Sequence, residues 1–424
     1  IYTGEDTLSL HDALPIYCKR WRHWWVKWRN LAKRVYVGIG AKKRMNVLIA
    51  MDSFKGCASS RELSCAIEKG IKGVYPDALV SAYEIADGGE GTLEAMVANS
   101  GGKIVTCNVH DPLMHVIEAQ YGILGDGTTC VIEMARASGL PLVPKEKRNP
   151  LLTTTFGVGE LIKEALFKGC RHFIVGIGGS ATNDAGMGML QALGFSFLDK
   201  EGNEVGFGGG ALGDVVRIDT SKALSALREC TFTIACDVDN PMYGERGAAH
   251  IYSRQKGASE ADVLLLDAHV KHFAQVIEKE LGKHVAHIKG SGAAGALGGG
   301  FLAFLNATLC SGIDIVLDAI DFDTKVKEVD FVITGEGKID AQSLMGKVIS
   351  GIAKRCVKAH VPLIALAGSV EEDAFASHES GVSALFSILH APMSLEEAMC
   401  KKTTLRQIEQ SAGEIFRVIK VARK

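Results

Sequence analysis

Residues 46–85, NVLIAMDSFKGCASSRELSCAIEKGIKGVYPDALVSAYEI, decide the fold class. NVLIAM (46–51) reads as a buried strand. SSRELSCAIEKGIKGVY (59–75) reads as an amphipathic helix whose Ser59 and Glu62 form a capping box, and ALVSAYEI (78–85) as the next strand. Strand, helix and strand in this order make a βαβ unit, which builds a parallel sheet covered on both faces. The expected fold is therefore α/β.

The same alternation continues outward. HVIEAQYGIL and TTCVIEMA read as paired strands around the turn Gly125-Asp126-Gly127, helix TTFGVGELIKEALFKG leads to strand HFIV (172–175), and GMLQALG is helical. CTFTIACDV (230–238) is a strand ending in acid, and residues 262–281 form a long amphipathic helix. GSGAAGALGGGFLAFLNATLC (290–310) has 21 uncharged residues, but its glycines with Asn306 and Thr308 suit a packed core helix rather than a lipid span. VDFVITGEGKID, PLIALAGS and LFSILHA return to strands before a terminal helix. The pattern predicts a Rossmann-like parallel-sheet domain, residues 45–110 plus 315–424, split around an inserted, more irregular α/β domain, residues 111–314.

Composition narrows the class. The chain has 424 residues, 47% apolar and 23% charged, with 48 glycines in short clusters and only 9 prolines, as in a loop-rich globular protein. Eleven cysteines without a CxxC pair argue for reduced thiols in the cytoplasm and against a disulfide framework or zinc site. Two histidine pairs at helical spacing, His269 with His272 and His284 with His287, are expected on solvated helix faces. The first 44 residues differ: they hold all four tryptophans and ten Lys/Arg against three Asp/Glu. With Met45 the first methionine and the globular pattern starting there, they read as an appended, non-native extension lacking a signal-peptide core.

Five strand-end signatures carry the chemistry: AMDSFKG (Asp52, Ser53, Lys55), IADGGEGT (Asp87, Glu90, Thr92), GIGGSATND (Ser180, Asp184), ACDVDNP (Asp237, Asp239, Asn240) and ITGEGKIDAQS (Glu336, Lys338, Asp340, Ser343). Loops at the carboxyl ends of parallel strands converge on one crevice, so these residues are expected together. Phosphoryl transfer needs N–H donors and cations around the phosphates, carboxylates for Mg²⁺, and a carboxylate to take the acceptor's proton. In HFIVGIGGSATND (172–184) the glycines expose backbone N–H groups, and Ser180 to Asp184 fall where a helix is expected to start, which suits an anion. No GxxxxGK[ST], GxSxG or HExxH occurs, which argues against a standard P-loop NTPase, protein kinase, α/β-hydrolase or zincin, and the incomplete GxGxxG at Gly176 and Gly178 leaves an NAD-dependent dehydrogenase as a disfavoured alternative.

IAMDSFKG, IADGGEGT, EMARASGL, TTTFGVGELI, GIGGSATNDAGMGMLQALG, ACDVDNP with RGAA and QKGA, GSGAAGALGGG and DFVITGEGKIDAQSLMGK, in register from Met45 onward, resemble the bacterial glycerate kinases. The resemblance implies transfer of the ATP γ-phosphoryl group to the 2-hydroxyl of D-glycerate in an interdomain cleft, giving 2-phosphoglycerate, with ATP and Mg²⁺ as cofactors. The alternatives are another small hydroxy acid as acceptor or a 3-phosphoglycerate product. A cytoplasmic monomer or homodimer is expected, with no nucleic-acid or membrane partner. Asp184 and Asp237 are then candidates for general base and metal ligand, with Asp87 and Glu90 next and Glu336 a further metal candidate. Gly178, Gly179, Ser180, Gly335 and Gly337 would cradle phosphates, while Lys55 and Lys338 neutralise charge. Arg136 with Ser138 would clamp the substrate carboxylate, and Lys256 is the competing cation.

Overall fold

The structure, a computed structural model, describes residues 44–340 and 348–423. The expected appended segment up to residue 43, and Ser343 of the last signature, lie outside the described residues. From Asn46 the chain runs β1 (Asn46–Met51), α1 (Ser60–Lys72) and β2 (Leu79–Glu84), so the opening βαβ unit forms. Its helix begins with the reciprocal Ser59–Glu62 hydrogen bonds of a capping box. Then come α2 (Thr92–Ser100), β3 (Lys103–His110), β4 (Val116–Ile123), β5 (Thr129–Glu133), α3 (Phe156–Phe167), β6 (His172–Gly176) and α4 (Met187–Ala192). β7 (Ser196–Leu198), β8 (Arg217–Asp219), β9 (Thr231–Ala235), α5 (Glu260–Leu281), α6 (Ala293–Phe304), β10 (Thr308–Cys310) and α7 (Gly312–Ala319) follow. The chain closes with β11 (Phe331–Ile339), α8 (Val348–Ala359), β12 (Leu363–Val370), β13 (Ala384–Ser387) and α9 (Lys401–Ala422).

Two sheets organise these elements. The first has the order β13-β12-β11-β1-β2 with every neighbour parallel, and draws its strands from both ends of the chain. The second has the order β10-β9-β6-β5-β4-β3, parallel from β10 to β5 and antiparallel beyond. β3 lies in residues 45–110 yet pairs along its whole length with β4, so the chain enters the second sheet at Lys103. Its alternating exposure fits an edge strand with one solvated face.

Each sheet has an apolar core. One gathers Phe173, Phe232, Phe273 and Phe301 under the second sheet. The other gathers Leu48 and Val332 of the first sheet and Ile352 of α8 with Leu93 and Met96 of α2, and it also takes in Val131 of β5 and Ala235 of β9. The two sheets are therefore joined by shared apolar burial. The uncharged stretch 290–310 supplies α6, largely buried, whose residues Ala294, Gly295 and Ala296 have left-handed backbone. No helix among the described residues is long and apolar enough to cross a membrane. His269 and His272 do not face solvent alone: their rings hydrogen-bond the carbonyls of Gly209 and Val215. The ten described cysteines are all free thiols.

α1 and α9 cross at Gly70 and Gly413. A Cβ on Gly70 would stand 2.2 Å from the Glu409 carbonyl oxygen, a backbone atom that moves only if the helices part. Helix propensity favours alanine over glycine by roughly 1 kcal/mol, whereas overpacking a fixed contact costs about 1–3 kcal/mol. Gly70→Ala is thus expected to lower the urea midpoint. A raised midpoint would show that the crossing opens freely.

Candidate active site

Three carboxylates stand just past strand ends of both sheets. Asp52 follows β1; its amide donates to the Gly335 carbonyl at 3.0 Å and its carboxylate accepts from the Ser53 amide at 2.6 Å. It is only 9% exposed. Burial pushes its pKa up to about 6, the Asp87 charge adds to the rise, and the exposed Lys55 ammonium opposes it. Asp87 lies beyond β2 and accepts from the Gly89 amide at 3.2 Å. Asp237, two residues beyond β9, accepts from the Gly312 amide at 3.1 Å. Burial raises the Asp237 pKa as well, and the charges of Asp87 and Asp314 raise it further. The Asp87 charge thus bears on a carboxyl from each sheet.

Backbone proximity creates this meeting. Gly88, with φ +86°, lies where a Cβ would come within 2.7 Å of the Ala235 Cβ and 2.9 Å of the Gly312 Cα. A Cβ on Gly312 would sit 2.0 Å from the Asp87 carbonyl oxygen, and one on Gly176 would sit 2.5 Å from that of Gly88. Glycine at all three positions lets the loop after β2 rest on the ends of β6 and β9. Glu133, at the end of β5, holds the start of α2 by accepting from the Leu93 amide at 3.0 Å.

The Arg136 guanidinium is engaged in that joint. It donates to Glu133 at 2.9 Å, Gln120 at 3.0 Å and Glu94 at 2.5 Å, so it ties β5 and β4 to α2 rather than standing ready for a substrate carboxylate. Ser138, expected beside it, is fully buried and donates to the Thr154 carbonyl at 3.3 Å.

The glycine turn is exposed at Gly178 and Gly179, and the space where a Gly178 Cβ would lie is open. Two backbone hydrogen bonds hold it: Leu140 to the Gly179 carbonyl at 2.8 Å, and Ala181 to the Ser138 carbonyl at 2.9 Å. The helix expected directly behind it starts only at Met187, behind a left-handed Gly186, so its first turn lies seven residues beyond Ser180. Asp184 is correspondingly different from its sequence reading. It has no exposed surface, and it accepts from the Thr155 amide and hydroxyl, both at 2.8 Å, and from the Gly186 and Gly188 amides and the Thr154 hydroxyl. Burial raises its pKa against these bonds. Without exposed surface, and with its Oδ2 taken up by Thr154, Thr155 and Gly188, it serves as a structural knot. Lys256 is 1% exposed and donates to the Ser180 hydroxyl at 2.7 Å and the Thr182 carbonyl at 2.6 Å, beneath the turn and away from solvent.

On β11 the expected loop is strand: pairing with β12 continues through Ile339. Gly335 sits inside it, where a Cβ would be 1.9 Å from the Leu366 carbonyl oxygen, so this glycine serves strand packing and not a phosphate. Glu336 and Gly337 are partly exposed farther along, and Lys338 pairs with Glu371 at 3.3 Å and Asp340 at 3.7 Å. Glu90 is exposed just before α2. Asp52 stood in the signatures but not among the catalytic candidates; its position directly after the apolar run Val47–Met51 was the available signal. The Ser311–Gly312 corner, which holds Asp237, carries no local signal.

Among the described residues, no group of three or more His, Cys, Asp or Glu side chains is gathered closely enough to hold a metal by itself. The hard oxygen donors of Asp87 and Asp237 nevertheless fit Mg²⁺, which usually takes one or two carboxylates and completes its shell with water and phosphate oxygens.

Asp52 and Asp184 predict opposite outcomes. For Asp52 the folded pKa, about 6, lies above the ordinary 3.8, so the folded state prefers the proton and stability falls as pH rises from about 4 through about 6. Asp52→Asn in metal-free protein should then raise the thermal midpoint above pH 6 and leave it nearly unchanged at pH 4. An equal effect at both pH values would refute the burial cost. Asp184→Ala strands several buried donors and should lower unfolding free energy by roughly 3 kcal/mol or more, measured by urea titration.

The sequence profile described as the glycerate kinase family matches residues 47–420. The chain is 48% identical to a glycerate kinase of Halalkalibacterium halodurans, over 87% of this chain and 97% of that protein. It is also 48% identical to the glycerate 2-kinase of Escherichia coli K12, over 84% and 93% respectively. A crystal structure of a Salmonella typhimurium LT2 protein assigned as glycerate kinase 2 superposes with a TM-score of 0.83 at 41% identity, covering 90% of this chain and 99% of that one. Parallel sheets with acidic strand ends, and agreement over nearly the whole length of these relatives, have one consequence: the chain belongs to the glycerate kinase family.

Proposed function

We propose that this glycerate kinase transfers the γ-phosphoryl group of ATP to the 2-hydroxyl of D-glycerate, giving 2-phosphoglycerate, at the strand ends that carry Asp52, Asp87 and Asp237. The observation that carries the reading is the close backbone contact of the Asp87–Gly88 loop with Ala235 and with Gly312, whose amide holds Asp237. Like charges at neighbouring strand ends are unfavourable alone and become favourable with cations and a proton to share.

Asp52 is the proton acceptor. Its pKa of about 6 leaves it ionised near neutrality and still basic enough to take the 2-hydroxyl proton as the oxygen bonds to phosphorus and ADP leaves. Asp87 and Asp237 would hold Mg²⁺, which would supply charge neutralisation on the phosphate oxygens. Lys55, exposed beside Asp52, meets charge growing on the transferred group. The exposed amides of Gly178 and Gly179 receive ATP phosphate oxygens. The division into a Rossmann-like part and an inserted part belongs to the same reading, with β3 assigned to the inserted part. A cytoplasmic location, where ATP is available, and no nucleic-acid or membrane partner belong to the same proposal.

An ADP-release assay with glycerate, tartronate, glycolate and lactate tests the acceptor, and enolase tests the product, since it consumes 2-phosphoglycerate directly. Turnover is expected with glycerate, followed by enolase conversion without added mutase. Asp52→Asn and Asp237→Asn should each lower kcat by about a hundredfold or more. A product that enolase consumes only after phosphoglycerate mutase would overturn the 2-hydroxyl assignment. Losses below about tenfold in both variants would remove these carboxylates from the mechanism.

A further inference from the structure

Lys256 is the most deeply buried cation among the described residues and has no place in the mechanism above. Its ammonium donates to the Ser180 hydroxyl oxygen at 2.7 Å and to the Thr182 carbonyl at 2.6 Å. Both acceptors lie on the stretch that follows the exposed Gly178-Gly179 pair. We propose that Lys256 is a positioning residue that acts through Ser180: by occupying the hydroxyl oxygen from below, it leaves the hydroxyl hydrogen as a polarised donor for an ATP phosphate oxygen on the turn. This inference rests on the reading that the turn receives phosphate.

Three observations carry it. A hydroxyl that accepts from an ammonium must send its own hydrogen elsewhere, and among the described residues no acceptor takes the Ser180 hydrogen. Hydrogen bonds in a chain polarise one another, more so with a charge at one end and in a dry interior. Finally, burial pulls the Lys256 pKa down to about 7, with the Asp184 charge the opposing influence. A buried ammonium is costly to the fold, and an apolar side chain of similar length would fill the space without that cost. Lysine at this position is therefore better accounted for by what it does to the turn than by stability.

The surroundings make the pin rigid. Thr153 donates to the Ala181 carbonyl at 2.8 Å, and Ala185 donates to the Gly295 carbonyl at 3.0 Å. With Asp184 fixed by the Thr154–Thr155 pair, residues 181–185 have little freedom. Ser180 is where this anchored stretch meets the open part of the turn.

The test uses the full chain with Lys256→Met, Ser180→Ala, the double variant and Gly178→Asp. KM values for ATP and glycerate, ADP affinity by calorimetry and thermal midpoints are measured for each. Lys256→Met and Ser180→Ala are each expected to weaken ADP binding and raise the KM for ATP by roughly tenfold to a hundredfold. The KM for glycerate should move by less than about threefold, and the double variant should be no worse than the poorer single one, as for two members of one chain. Lys256→Met should keep or raise the thermal midpoint. A shift confined to the glycerate KM, or additive losses in the double variant, would overturn the proposal. Should Lys256→Met not fold, Ser180→Ala decides: unchanged ADP affinity overturns the inference. Gly178→Asp puts a carboxylate into open space on the turn. If it weakens ADP binding while Lys256→Met and Ser180→Ala do not, only the Lys256 inference fails. If none of the three affects ADP, the phosphate reading of the turn fails with it.

Discussion

Gly88 has neighbours that no side chain would tolerate: the Ala235 Cβ and the Gly312 Cα are both within 3 Å of where its own Cβ would be. That contact lets the loop after β2 lie against the ends of β6 and β9, and most of the site depends on it. A single methyl would have to push β2's loop off the second sheet. Asp87 and Asp237 would then part, and the corner that fixes Asp237 through the Gly312 amide would shift as well. Leu93, held by Glu133, and Arg136, spanning Glu133, Glu94 and Gln120, brace the same joint from its flank.

Electrostatics gives this geometry its meaning. Two unit charges 4 Å apart at an effective dielectric constant of about 20 repel by roughly 4 kcal/mol. Residues that impose even part of such a cost on the empty protein are expected where ligands supply the missing positive charge or where a proton is exchanged. Asp184 is the internal control for this argument. It is more completely buried than Asp52, but five donors from Thr154, Thr155, Gly186 and Gly188 meet its carboxylate. Burial with its hydrogen bonds satisfied makes an anchor, whereas burial with a second negative charge acting on it raises the affinity for a proton, the property the proposed proton acceptor needs.

The parts legible in sequence are those decided locally. The βαβ unit at residues 46–85 follows from apolar runs and a capping box, and the strand ends carry their Asp residues where a parallel sheet would use them. Distant partners decide the rest. Asp184 follows a glycine turn and precedes a helix, and its reading as a site residue fails because Thr155, 29 residues earlier, folds back onto its carboxylate. Arg136 had the right chemistry for a substrate carboxylate, but Glu94, 42 residues away, claims it. β3 went unread because an edge strand with one wet face lacks the continuous apolar run of its buried neighbours.

The glycine-rich signatures show how one residue type answers to two physical demands. Gly178 and Gly335 each follow an apolar strand pattern and precede charged or hydroxylated residues, so their local sequences ask the same question. At Gly178 a Cβ would meet nothing, and the backbone is bare to whatever approaches; at Gly335 it would meet the Leu366 carbonyl of the neighbouring strand. The first glycine exposes amides, while the second permits β11 and β12 to stay paired past the point where the motif suggested a loop. Of the two, the turn after β6 is the one with backbone open to a ligand. β11 contributes instead by holding β1 in register, and through the Gly335 carbonyl it fixes the amide of Asp52, the residue on which proton transfer is placed.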